Sequence, residues 1–200
     1  MLNSVEITAF QDKCLTNAGW PETLAGMLDG LSDPAWQWIA ANHRYNSLLW
    51  AEEDLARRRD VSDGEIAKNK RAIDGFNQAR NDATECIDEA LLVAIGAVQH
   101  APTARQHSET AGMMIDRLSI MSLKTKAMRE QVERTDVSDE HRESCRLKLE
   151  RLHEQRADLA ACLDALLADA AAGKAYFKIY RQFKMYNDPS LNPYLYGRKA

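Results

Sequence analysis

Between Pro34 and Pro189 the chain carries a single proline, Pro102, and few glycines. Proline removes a backbone donor and breaks helix interiors, and glycine weakens them. A span this long without either, rich in Ala, Leu, Glu, Lys, Arg and Gln, is committed to long helices. Asp33 reads as an N-cap with Pro34 at the first helical position, and that helix should run to about Arg58. Ser62 with Glu65 forms a capping box for a helix over 63–99. After a loop around Pro102, helices are expected over 111–134 and 139–172, the latter capped by Ser138 and broken by Gly173. Short helices are expected over 4–16 and 21–30, and a last helix over 174–186 leading into an irregular tail.

An internal repeat sits inside this pattern. Residues 60–91 align without gaps on 136–167, an offset of 76, with nine identities. DVSD recurs, and Arg80, Asp82, Cys86, Asp88 and Leu91 match Arg156, Asp158, Cys162, Asp164 and Leu167. The same offset aligns Trp38, Tyr45, Leu49 and Ala56 with Met114, Met121, Thr125 and Val132. The expectation is one all-α domain over 1–200. Its four long antiparallel helices form two pseudo-symmetric repeated hairpins, 33–99 and 111–172. Residues 174–200 form a C-terminal aromatic, basic cap.

The 200 residues carry a net charge of -4, 28% charged and 45% hydrophobic, which excludes disordered and fibrous classes. The longest apolar run, 90–98, is too short to span a bilayer. The first ten residues show no basic-then-apolar leader, so a cytoplasmic protein is expected. Four cysteines without C-x-x-C spacing are expected as buried thiols. Fourteen aromatics crowd the ends: six lie in 1–50 and seven in 174–200, leaving Phe76 between. Residues 174–200 hold six basic residues and one acid, whereas the rest hold 20 basic and 29 acidic. The two ends are therefore expected to pack near each other, with the basic tail on the acidic bundle. Nucleic acid is disfavoured as a partner because the remaining surface repels phosphate.

Polar residues on inner stripes are the informative ones. The second long helix has a seam of Ile66, Ile73, Phe76, Ala83 and Ile87, interrupted by Asn69 and Arg80. The fourth has Leu149, Leu152, Leu159, Leu163 and Leu166, interrupted by Arg156. A buried guanidinium needs partners, and Glu52, Glu53, Asp54 and Asp116 on neighbouring helices are candidates. One reading is a register-fixing ion-pair network. The other is a polar pocket for an anionic ligand, since arginine grips carboxylate or phosphate bidentately. A polar face over Lys70, Asp74, Asn77, Gln78, Asn81, Glu85 and Asp88 borders it, and Lys184, Tyr186 and Asn187 could close over its mouth.

Metal patterns are incomplete. Glu150-x-x-His153 is half of a di-iron pair, and Glu85-x-x-Asp88 is half of the Mg²⁺ pattern of all-α NTP pyrophosphatases. No cofactor is therefore assigned, with Mg²⁺ as the alternative.

Four strings carry a family resemblance: NSLLWAEEDLARR (46–58), KRAIDGFNQARNDATECID (70–88), SETAGMMIDRLSIMSLK (108–124) and QFKMYNDPSLNPYLYG (182–197). Together they resemble the bacterial family catalogued as domain of unknown function 4254. Ala111 and Met113 depart from its third motif, which usually has Pro and Ser there. The resemblance implies no established activity, and a gene setting beside surface-polysaccharide glycosyltransferases points to nucleotide sugars or glycans. Carried over by motif, the polar candidates are Glu53, Asp54, Arg57, Lys70, Asp74, Asn77, Arg80, Asn81, Asp82, Asp116, Arg117, Ser119, Lys124, Lys184, Tyr186, Asn187, Asp188 and Asn192.

The combined expectation is a protein that binds, and could act on, a phosphate-bearing or nucleotide-sugar anion. Glu53, Asp54 and Asp116 are the catalytic or orienting candidates. Arg57, Lys70, Asp74, Asn77, Arg80, Asn81, Arg117, Ser119, Lys124, Lys184, Tyr186 and Asn187 are the ligand-binding ones. The alternatives are an adaptor that docks a partner or a second copy through its aromatic ends, as in a homodimer, and the Mg²⁺ pyrophosphatase.

Overall fold

The computed structural model describes residues 2–23 and 28–197. The chain is mostly helical: α1 (Ser4–Cys14), α2 (Ala35–Leu55), α3 (Asp63–Ile95), α4 (Ala111–Glu133) and α5 (Asp139–Ala171). Four of the five starts carry a side-chain cap. Asn3, Ser62, Thr110 and Ser138 accept from the backbone N–H three residues on, which satisfies a donor the helix cannot. Asp33 serves α2 similarly, its carboxylate accepting from Ala35 N at 2.9 Å.

α2 packs chiefly on α3 and α4 on α5, while α1 crosses α4 and α5. One apolar core joins Phe10, Trp36, Ile39, Ile87, Ile115, Leu118, Leu163, Leu166 and Phe177. α3 and α4 meet closely at Gly112, where a Cβ would lie 2.5 Å from the Thr84 carbonyl oxygen. No helix among the described residues is long and apolar enough to cross a membrane.

Several sequence expectations need correction. No helix forms over 174–186. Gly173 ends α5 at φ +69°, a conformation glycine adopts without penalty. The chain then becomes β2 (Ala175–Phe177), pairing in parallel with β1 (Arg105–His107) inside the expected loop. Ala175 and Phe177 are buried, Tyr176 is not, and that alternation suits a strand. Only a single 3-10 turn, Met185–Asn187, follows. Residues 21–23 and 28–30 are irregular or turn, and the rest of the helix expected over 21–30 lies outside the described residues.

The inner stripe of α2 is also rotated. It runs through Trp36, Ile39, Asn42, His43, Asn46 and Ser47, with Trp38, Tyr45 and Glu52 only half-buried at its edge. Finally, Cys14 and Cys145 are buried thiols, but Cys86 is half-buried and Cys162 exposed.

Candidate functional site

The rotation of α2 places polar side chains in the interior, where α2, α3 and α4 meet. Asn42 donates to Asp116 Oδ1 at 2.8 Å and to Thr84 Oγ1 at 3.1 Å. Asn46, one turn on, donates to the same Asp116 oxygen at 2.8 Å and to Ser119 Oγ at 3.0 Å. Ser119 also pairs with His43 Nδ1 at 2.8 Å. His43 is fully buried and stacked on Trp20. Burial holds its pKa down at about 4, so the ring is neutral at physiological pH.

Arg80 lies against this layer from α3. Its Nε is 3.9 Å from Asp116 Oδ1, too far for a hydrogen bond. Among the described residues its side chain makes one hydrogen bond, from Nη2 to Asn81 Oδ1 at 3.3 Å. The Nε is buried without a hydrogen-bond partner, and the side chain as a whole is 26% exposed. Arg156, its counterpart at the 76-residue offset, also has a buried Nε without a hydrogen-bond partner, but its two terminal nitrogens are held. Nη1 and Nη2 each reach Asp12 at 2.9 Å, and Nη2 also reaches Ser122 Oγ and Thr8 O.

Arg80 opens onto a cleft of about 310 Å³. Glu53 and Asp54 from α2, Arg57 just past its end and Asn77 from α3 share its lining with Asn46, Trp50, Leu49, Ile120 and Leu123. Glu53 and Arg57 form an exposed ion pair at 2.8 Å. Five expected site residues thus converge here: Glu53, Asp54, Arg57, Asn77 and Arg80. Asp116 and Asn81 sit behind Arg80 rather than in the cleft wall, and Ser119 is fully buried.

The remaining candidates lie elsewhere. Lys70 and Asp74 are exposed on α3 and line none of the clefts described. Arg117 and Lys124 line a wider cleft of about 800 Å³ between α4, α5 and β1, over Met114, Met121, Leu159 and Leu166. There Arg117 is already paired with Glu109. Lys184 and Asn187 line a third hollow of about 400 Å³ between the tail and Gln78, and Tyr186 is exposed. Lys184 is nevertheless electrostatically linked to the site. Burial first, then the Arg80 charge, lowers its pKa.

Sequence reasoning missed Asn42, His43 and Asn46, which hold Asp116 and Ser119. Their only advance signal was the clustering of amides and a histidine beside Trp36 and Ile39.

The carboxylates of the metal half-patterns have protein partners or face solvent. Glu85 accepts from Arg181 and from Gln182 N, both at 2.8 Å. Asp88 accepts from Gly112 N at 2.7 Å, and burial raises its pKa to about 6. Glu150 and His153 are exposed. Among the described residues no three His, Cys, Asp or Glu side chains cluster to hold a metal ion.

A family model described as "Protein of unknown function (DUF4254)" matches residues 36–179. The chain belongs to that family. No curated protein and no solved structure matches it.

Proposed function

We propose that this chain binds a phosphate-bearing small molecule in the Arg80 cleft. The observation that carries the reading is the under-satisfied guanidinium. Arg80 is mostly enclosed, has one protein hydrogen bond at 3.3 Å, and faces a carboxylate already held by two amides. A buried cation short of partners is costly, and an anion in the cleft offsets that cost. Two phosphate oxygens suit the planar fork of the guanidinium. Arg57 and Lys184 add positive charge at the rim. Asn77 offers an amide donor, Trp50 a ring face, and Glu53 with Asp54 acceptors for hydroxyls. Those two carboxylates are also the groups a proton-transfer step would use. A volume of about 310 Å³ suits a compact phosphoester, and a nucleotide sugar would extend toward Lys184. The remaining parts of this reading are a bacterial, cytoplasmic setting and a bundle of two duplicated antiparallel hairpins. The equal 33-residue lengths of α3 and α5, begun 76 residues apart under Ser62 and Ser138, support the duplication.

The test is a thermal-shift screen of inorganic phosphate, pyrophosphate, nucleotides and nucleotide sugars, with and without Mg²⁺. A ligand at 100 times its Kd adds about 2.7 kcal/mol by mass action, or roughly 5–10 °C for a chain of this size. Arg80→Met abolishes the shift. An unshifted wild type, or an R80M protein that is more stable with undiminished ligand shifts, overturns the reading and leaves Arg80 a purely structural residue.

A further inference from the structure

The most exposed large apolar side chains among the described residues are Tyr194 (96%), Phe183 (84%) and Val93 (82%). Two lie on the tail and one on the outer face of α3. The tail is organised by itself. Asn192 donates to the Tyr186 carbonyl at 2.7 Å, Ser190 Oγ to Asp188 at 2.6 Å, and Tyr194 N to Asn192 at 3.0 Å. Its anchor on the bundle is Arg181, which grips Glu85 and Glu89. Beyond that anchor it runs along α3 toward Gln78, and its apolar groups stay in water.

Val93 borders a groove of about 580 Å³ between the start of α2 and the end of α3. Pro34, Trp38, Ala90 and Ala94 form its floor, and Asp33 and Glu89 are its only charged residues. The groove is apolar with an acidic rim. The segment 174–200 is aromatic, with six cations and one acid. A chain's own tail borders this groove at Glu89 and then leads away from it.

We propose that two copies of this chain pair through their α3 outer faces and exchange tails, each tail covering the other copy's Val93 groove. Charge complementarity favours a second copy as the occupant: Asp33 and Glu89 rim the groove, Glu89 already binds a cation of this same basic segment, Arg181, and a second copy brings further cations to that rim. Area supports it too. Phe183, Met185, Tyr186, Tyr194, Leu195 and Tyr196 each present on the order of 100 Å². Two such tails with the surfaces they cover reach the roughly 1,200–2,000 Å² of a stable interface. Reciprocal exchange about a twofold axis also closes, so it stops at two copies.

The experiment is sedimentation equilibrium of the full chain from about 1 to 100 μM. It is run on wild type, on Phe183→Ser with Tyr194→Ser, and on Val93→Lys, with circular dichroism to confirm helical content. These positions are so exposed that the substitutions leave the fold intact. The expected result is a dimer whose dissociation constant rises about tenfold or more in each variant. A wild type that stays monomeric throughout, or a dimer that either variant fails to weaken, overturns the proposal.

Discussion

Arg80 and Arg156 occupy matching positions on α3 and α5, yet their surroundings diverge. The difference is α1. That helix lies across α5, where Asp12 and the Thr8 carbonyl neutralise Arg156 and hold its terminal nitrogens, and Ser4 is bound to Asp164. α4 plays the corresponding part for α3, with Gly112 N on Asp88 and Asp116 near Arg80. But Asn42 and Asn46 draw Asp116 into their own hydrogen bonds, and Arg80 is left 3.9 Å away. The same residue makes four side-chain hydrogen bonds in one place and one long one in the other.

The largest expected effect is on ligand binding. Losing two charge-assisted hydrogen bonds, each worth about 1.5–3 kcal/mol, should weaken phosphate binding about 100-fold or more in R80M. Arg156→Met, titrated the same way, should keep the wild-type affinity. Equal losses in both would erase the distinction.

Next comes acid sensitivity of the layer between the two arginines. His43 has a folded pKa near 4 against an ordinary 6.5, so the neutral ring is favoured by folding. Its contribution is fully present above pH 6.5 and is lost as pH falls toward 4, about 3 kcal/mol in all. Asp88 works in the opposite sense. Its raised pKa, about 6, contributes stability below pH 3.8 that is lost as pH rises through 6. Urea unfolding of wild type and His43→Gln from pH 7.5 to 4 should show the shallower acid decline in H43Q. Asp88→Asn should steepen it. Identical slopes would remove His43 as the cause.

Arg156→Met should then lower unfolding free energy by about 2 kcal/mol. It breaks a pair in which Arg156 is enclosed while Asp12 is half exposed and can regain water. The smallest effect is on the unliganded R80M protein. Removing a guanidinium with one weak bond should change stability by less than about 1 kcal/mol, or raise it. Chemical denaturation of both variants checks the pair. A greater loss in R80M than in R156M would reverse the comparison.

Much of the scaffold was legible in the sequence because it follows from local chemistry. Ser62 and Ser138 announce helix starts, and a proline-poor, alanine- and leucine-rich span can do little but coil. Arg80, Glu53, Asp54, Arg57 and Asn77 were recognisable as polar groups clustered by helix spacing and family motif. Asn42, His43 and Asn46 were not. Hydropathy reads polar residues as solvent-facing, and only the packing of α4 shows them turned inward. The β1–β2 pair was hidden for another reason. A three-residue parallel strand is stabilised by a partner about 70 positions away, while Tyr176, Tyr180 and Phe183 mimic helical spacing locally. Nor could spacing show that Asp12 would claim Arg156 and leave Arg80 unclaimed.

The position of α1 also bears on how the chain is made. Its partners on α5, Arg156 and Asp164, leave the ribosome some 150 residues after it does. α1 can dock on α4 first, but its packing is completed only when α5 follows. Until α5 is complete, the core that Ile7 and Phe10 share with Leu163 and Leu166 is unfinished, which leaves the nascent chain prone to misassociation late in its synthesis.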